Sequence, residues 1–123
     1  MGQKVHADTS WLIAFFDSED KYHSKAVREF EELTVLPSIS AITLAELLVN
    51  FDGKDFPVTR DEIESALTNV IEVTKDIAIL AAQIRSSNRV TLGDALIIAT
   101  ALHTKSKLLT FDQSMKVVYE RTK

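Results

Sequence analysis

The segment LGDALIIATAL, residues 92–102, constrains the fold more than any other stretch of the chain. After Asp94 its residues are small or apolar on every side. A helix built from them belongs in the interior, packed on a sheet rather than floating at a surface. Short candidate strands are present to make that sheet. KVHAD (4–8) is extended in character and runs directly into the helix-compatible TSWLIAFF. Within SEDKYHSKAVREFEEL, Tyr22, Ala26, Phe30 and Leu33 recur at helical spacing above a charged opposite face. VLPSI (35–39) reads as a second strand, although Pro37 removes a ladder donor. ITLAELLVN makes a short helix and DGKDFP (52–57) the clearest loop, while Thr59 and Glu62 form a capping box ahead of a helix of about ten residues. VIEV (70–73) is a third strand, and Ile77, Leu80, Ala81 and Ile84 mark an amphipathic helix after it. KLLTF follows the apolar helix as a fourth strand, with a last strand expected near KVVYE.

Strands that alternate with helices favour crossover connections and a mainly parallel sheet covered on both faces. The expected class is therefore α/β. With 123 residues, no repeats and no linker, the chain is expected to be one domain over residues 1–123. In open sheets of this class, function gathers at the carboxyl ends of the strands.

Composition narrows the setting. There are no cysteines, which removes disulfide and thiolate chemistry and fits a reducing cytoplasm. No apolar run is long enough to span a bilayer, and MGQKVHADTS lacks the apolar core of a signal peptide. Gly2 does not complete a myristoylation signal, because His6 stands where that signal has Ser or Thr. The expectation is a cytoplasmic protein with no membrane partner. Net charge is −4, but residues 85–123 carry seven basic and three acidic residues, a local balance of +4 against −8 for the first 84. That asymmetry admits an anionic partner near the C-terminal third, with Arg85, Arg89 and Lys107 as candidate phosphate contacts.

Four acids sit apart from the visibly polar stretches. Asp8 ends the first strand, Glu46 lies in TLAELL, Asp94 opens the apolar helix and Asp112 follows LLTF. Each has an ordinary explanation. Asp8 and Asp94 suit helix caps or first turns, Glu46 a solvated stripe with Thr43 and Asn50, and Asp112 a turn. As a set they ask for more. If the first and fourth strands are neighbours, Asp8 and Asp112 lie about 4.8 Å apart in backbone terms, and carboxylates that close repel. A divalent cation removes the conflict, and oxygen ligands select a hard ion, Mg²⁺ or Mn²⁺. Such a centre serves phosphate chemistry by acidifying a water and neutralising the scissile phosphate.

VHADTSWLIAFF, TLAELL, LGDALIIATAL and LLTFDQSM, in this order and nearly end to end, resemble the PIN-domain ribonucleases, most closely the VapC-type toxins of toxin–antitoxin pairs. The resemblance implies a three-layer α/β/α sandwich with a central parallel sheet. It implies a metal-dependent endoribonuclease with Asp8, Glu46, Asp94 and Asp112 as its acidic quartet and metal ligands, and Ser10 and Thr110 as supporting hydroxyls. The products would carry 3′-hydroxyl and 5′-phosphate ends, the substrate would be RNA, and the partners a cognate antitoxin and a second copy in a homodimer. One departure stands out: SSNRVTLGD is poorer in Gly and Arg than the family's usual segment before its third Asp.

Other chemistries fit less well. His6, His23 and His103 are scattered and read as surface or satisfied residues. Trp11, Phe15 and Phe16 suit the core, or a dimer or antitoxin groove, better than a base-stacking platform. A phosphoacceptor receiver needs adjacent acids after its first strand and an Asp ending its third, and a haloacid-dehalogenase-like phosphatase needs Asp-x-Asp where Asp8-Thr9-Ser10 stands. Two rivals survive: a catalytically silent PIN-like protein-binding module, and an RNA-processing nuclease outside any toxin pair.

Overall fold

The structure, a computed structural model, describes residues 2–51 and 60–123. The expected loop 52–57 and the capping residue Thr59 lie outside the described residues. In chain order the elements are β1 (Val5–Ala7), α1 (Thr9–Phe16), α2 (His23–Glu31), β2 (Ile39–Ser40), α3 (Ala41–Phe51), α4 (Arg60–Ala66), β3 (Val70–Ile71), α5 (Lys75–Ser87), α6 (Leu92–His103), β4 (Lys107–Leu109) and α7 (Gln113–Thr122).

The strands are parallel. β1 pairs with β4 and β2 with β3. A parallel bridge between His6 and Ser38 joins the two pairs, with the Ala7 N–H donated to the Ser38 carbonyl and the Ser38 N–H to the Val5 carbonyl, both at 2.9 Å. The spatial order is thus β3-β2-β1-β4. The chain moves outward from β1 on one side and returns to add β4 on the other, so the switch in direction falls between β1 and β4. A crevice at the carboxyl ends of those two strands is where such a sheet binds ligands.

Side chains alternate across the sheet and feed two cores. Val5, Ala7, Ile39 and Leu109 join Trp11, Leu12, Leu47 and Ile63 on one face, from α1, α3 and α4. On the other, Leu108 joins Ile77 and Ile84 of α5, Ala95 to Ala101 of α6 and Met115, Val118 and Tyr119 of α7. Helices on both faces make the expected α/β/α sandwich. α6 is buried as its composition demands, and Thr100, a polar side chain within its buried stretch, donates its hydroxyl to the Leu96 carbonyl at 2.7 Å. No helix among the described residues is long and apolar enough to cross a membrane.

The strands are shorter than the sequence suggests. VLPSI contributes to the ladder only after Pro37, whose missing N–H cannot pair, and Leu36 is exposed. VIEV keeps two residues and KLLTF three. The expected last strand near KVVYE is instead α7. Two adjacent valines and a tyrosine have strand propensity, but Met115, Val118 and Tyr119 form one helical stripe. Asp112 caps that helix by accepting the Met115 N–H, and the Tyr119 hydroxyl is donated to the Ser106 carbonyl at 2.7 Å. Local capping and burial outweigh propensity here.

Candidate metal centre

Asp8 leaves β1 and serves as N-cap of α1, accepting the Trp11 N–H at 2.8 Å. It is also 1% exposed. The β1–β4 register sets Ala7 against Leu109, and so brings Thr110 rather than Asp112 opposite Asp8. Thr110 donates its hydroxyl to Asp8 Oδ2 and accepts the Asp112 N–H at 2.9 Å. Ser10 donates to both Asp8 oxygens, at 2.8 and 3.0 Å, and accepts the Phe111 N–H at 3.1 Å. The two hydroxyls expected to support the site therefore bind one carboxylate and stitch it to the turn after β4.

Asp112, two residues beyond Thr110, is the N-cap of α7. Asp94 lies in the first turn of α6, its N–H donated to Thr91 Oγ1 at 3.1 Å. Glu46, on α3, is exposed, and its Oε1 accepts the Thr9 hydroxyl at 2.7 Å. Its other oxygen faces the start of α6: a Cβ placed on Gly93 would lie 3.5 Å from Glu46 Oε2. The polar stripe expected around Glu46 is only partly solvated, since Thr43 is fully buried with no partner for its hydroxyl among the described residues.

These acids feel one another. Burial pushes the Asp8 carboxyl above its ordinary value, opposed by the hydrogen bonds from Thr110, Trp11 and Ser10, and the nearby Asp112 charge pushes it further up. Burial also raises Asp94; the Thr91 hydrogen bond works against this, and Asp112 and Glu46 add to it. No Lys, Arg or His forms an ion pair with any of the four among the described residues. Nor do any three His, Cys, Asp or Glu side chains there stand together in a formed metal cage. The donor set nonetheless fits a hard divalent cation: carboxylate oxygens, raised pKa values at two of them, and no basic partner among the described residues.

Other expected contacts are corrected. Lys107 begins β4, at the end of the sheet opposite the acids, with its N–H paired to the Lys4 carbonyl. His6 is neither a surface nor a satisfied residue. It is fully buried, its Nδ1 lies 2.8 Å from Ser38 Oγ, its Nε2 has no partner among the described residues, and burial lowers its pKa to about 4. The reading of Trp11, Phe15 and Phe16 as core holds: Trp11 is buried and donates its Nε1–H to Glu29 at 2.9 Å, and the partly buried Phe15 and Phe16 pack against the same cluster. Thr9 escaped notice in the sequence, though its place between Asp8 and Ser10 puts a third hydroxyl at the strand end.

The family model for the PIN domain matches residues 5–121. Among solved structures the chain is similar to a toxin–antitoxin complex from Klebsiella pneumoniae, at 28% identity and TM-score 0.76, covering 89% of this chain and 87% of that one. It also shares its fold with VapC20 of Mycobacterium tuberculosis, described as a toxin cleaving the sarcin-ricin loop, at 19% identity and TM-score 0.77, over 93% and 94% of the two chains. FitAcB from Neisseria gonorrhoeae matches at 20% identity and TM-score 0.77, over 94% and 93%. None of the curated proteins matches in sequence. By the family match over nearly its whole length, the chain belongs to the PIN-domain family.

Proposed function

We propose that this protein is a Mg²⁺- or Mn²⁺-dependent endoribonuclease and the toxin of a VapBC-type toxin–antitoxin pair. PIN domains are generally nucleases and generally use divalent metals. The observation that carries the reading is the approach of Asp8 and of Asp94 to Asp112, whose charge raises both carboxyls, without a basic partner among the described residues. A fold tolerates like charges in a half-buried site at a cost, and function is a common reason for it.

Asp8 and Asp94 would hold the ion directly, with Asp112 and Glu46 bound to it or to its waters. When bound, the ion supplies an acidified water and neutralises charge on the scissile phosphate. Ser10 and Thr110 fix the Asp8 carboxylate, so its orientation costs nothing at the moment of reaction. Glu46, with one oxygen held by Thr9, keeps the other free to orient the attacking water and take its proton. Water would attack phosphorus in line, the bond to the 3′-oxygen would break, and the departing oxyanion would take a proton from solvent, leaving a 3′-hydroxyl and a 5′-phosphate. The similarity to toxin–antitoxin structures supports an antitoxin that covers the site, and a homodimer completes the proposal. Exposed Leu36 and Val49 offer apolar surface for such contacts.

The test is incubation of total cellular RNA with antitoxin-free protein in Mg²⁺ or Mn²⁺, alongside EDTA and the Asp94→Asn variant. Discrete cuts that need the metal and vanish in the variant support the proposal. Folded protein that cuts nothing, or cuts equally in EDTA, contradicts it.

A further inference from the structure

Among the described residues β4 is an edge strand, paired on one side only, by β1. Its first and last residues turn their backbone groups inward. The Lys107 N–H is donated to the Lys4 carbonyl at 2.9 Å, and the Leu109 carbonyl accepts the Asp8 N–H at 3.0 Å. The alternation of a parallel ladder therefore turns the Leu108 N–H and C=O outward. The Thr110 N–H likewise has no partner among the described residues.

Outside this edge lies a groove of about 430 Å³. Lys107 to Thr110 form its floor, Glu29 and Glu32 wall it from the end of α2, and Lys116 and Glu120 wall it from α7. α2 and α7 pack on opposite faces of the sheet, so the slot opens in the plane of the sheet. Four residues of floor span about 13 Å, the length of a short strand. An edge that presents unpaired N–H and C=O groups is a template for a further strand.

The two walls differ in charge. On the α2 side stand Glu29 and Glu32, with Lys107 on the same strand face as Leu109, which leaves one acid in excess. On the α7 side Glu120 is taken up by Lys123 at 2.8 Å, while Lys116 has no ion pair among the described residues. A second copy of the chain is the wrong occupant. Antiparallel pairing of two β4 edges about a twofold axis sets α2 against α2 and α7 against α7, so like charges meet on both faces. A free extended segment fits instead. Its side chains alternate between the walls, so a basic residue directed at Glu29 and Glu32 is adjacent to an acidic one directed at Lys116.

We propose that the β4 edge is a docking groove for an extended segment of a partner protein. The segment adds a strand to the sheet and carries a basic and an acidic residue at adjacent positions. The proposal goes beyond the nuclease reading and does not depend on it.

The test is selection of binders to the whole chain from a displayed library of random linear peptides, followed by fluorescence anisotropy with the strongest binder. That peptide should hold adjacent basic and acidic residues, and Glu32→Lys or Lys116→Glu should weaken its binding roughly tenfold. Exchanging the two charged residues of the peptide should reverse its preference, so that it favours the protein carrying both substitutions over wild type. Both positions are exposed, so the fold should survive, which circular dichroism checks. Hydrogen exchange at the Leu108 and Thr110 amides should slow when the peptide binds. A library that yields no binder overturns the proposal. So do binders that leave both amides exchanging as before, or that bind the charge-reversed proteins as tightly as wild type.

Discussion

Beyond its first turn, α6 is buried among Ile77, Ile84, Leu108 and Val118, and its residues Ala95 and Ile97 to Ala101 exclude water. In its first turn Asp94 faces Glu46 and Asp112, with burial and both neighbouring charges raising its pKa. One helix thus carries a region that stabilises the fold by burial and a region that taxes it by repulsion. The difference teaches that the two ends answer to different demands: the interior to packing, the rim to something that binds there. Asp8 repeats the pattern beside Ala7, which lies wholly inside the core.

The largest effect should come from the rim. Asp94→Asn removes a charge while keeping nearly the same shape, and should reduce RNA cleavage on the order of a thousandfold, about 4 kcal/mol in transition-state stabilisation. In the absence of metal the same variant should unfold at equal or higher urea concentration, because it relieves repulsion. A variant that loses activity by unfolding would erase the distinction between the two regions.

The body of the helix should behave oppositely. Ile98→Ala, at a fully buried site, should cost about 2–5 kcal/mol of stability in urea titration. The folded fraction should still cleave at close to the wild-type rate. Selective loss of cleavage without loss of stability would place the chemistry in the wrong region.

His6 sharpens the comparison through pH. Its folded pKa of about 4 lies below the ordinary 6.5, so the neutral ring is the form that folding accepts. The stability it contributes is present above pH 6.5 and is lost as pH falls through about 4. The raised carboxyls of Asp8 and Asp94 act in the other direction. Their contribution is present below the ordinary carboxylate value and is lost as pH rises through their folded pKa values. Metal-free wild type and Asp94→Asn, titrated with urea from pH 4 to 7, should therefore diverge in favour of the variant as pH rises. Parallel curves would show that Asp94 is not strained.

The smallest effect should come from the cap. Thr91→Ala removes the acceptor of the Asp94 N–H and should cost about 1 kcal/mol. It also removes the hydrogen bond that restrains the Asp94 pKa, so the Asp94 carboxyl should titrate higher still, measurable by NMR. An unchanged pKa would mean that the cap and the acid are independent.

How much of this was legible in the sequence follows from how far each signal reaches. The apolar run in α6 and the alternation of elements are local patterns, and they specified a parallel sheet flanked by helices. Asp8, Asp94 and Asp112 were visible because acids at strand ends and in apolar helices contradict their surroundings. α7 was misread because valine propensity is local, whereas the stripe of Met115, Val118 and Tyr119 matters only with a core to receive it. The register that pairs Asp8 with Thr110 rather than Asp112 depends on where β4 begins, and KLLTF does not mark that point. Glu32 and Lys116 lie far apart in the chain, and only the fold sets them on the walls of one groove. His6 looked ordinary because burial of a polar ring leaves no trace in sequence.

The central claim is that the rim acids form a cation site and not merely a set of helix caps. Calorimetric titration of Mn²⁺ into wild type, Asp112→Asn and Asp94→Asn tests this most directly, since Asn at position 112 still caps α7, Asn at position 94 nearly keeps the shape of Asp, and neither supplies an anionic oxygen. The account predicts saturable binding to wild type that strengthens from pH 5 to pH 7, as ligands lose protons, and a loss of at least tenfold in affinity in both variants. Wild type that binds no Mn²⁺, or variants that bind it as tightly as wild type, would contradict it.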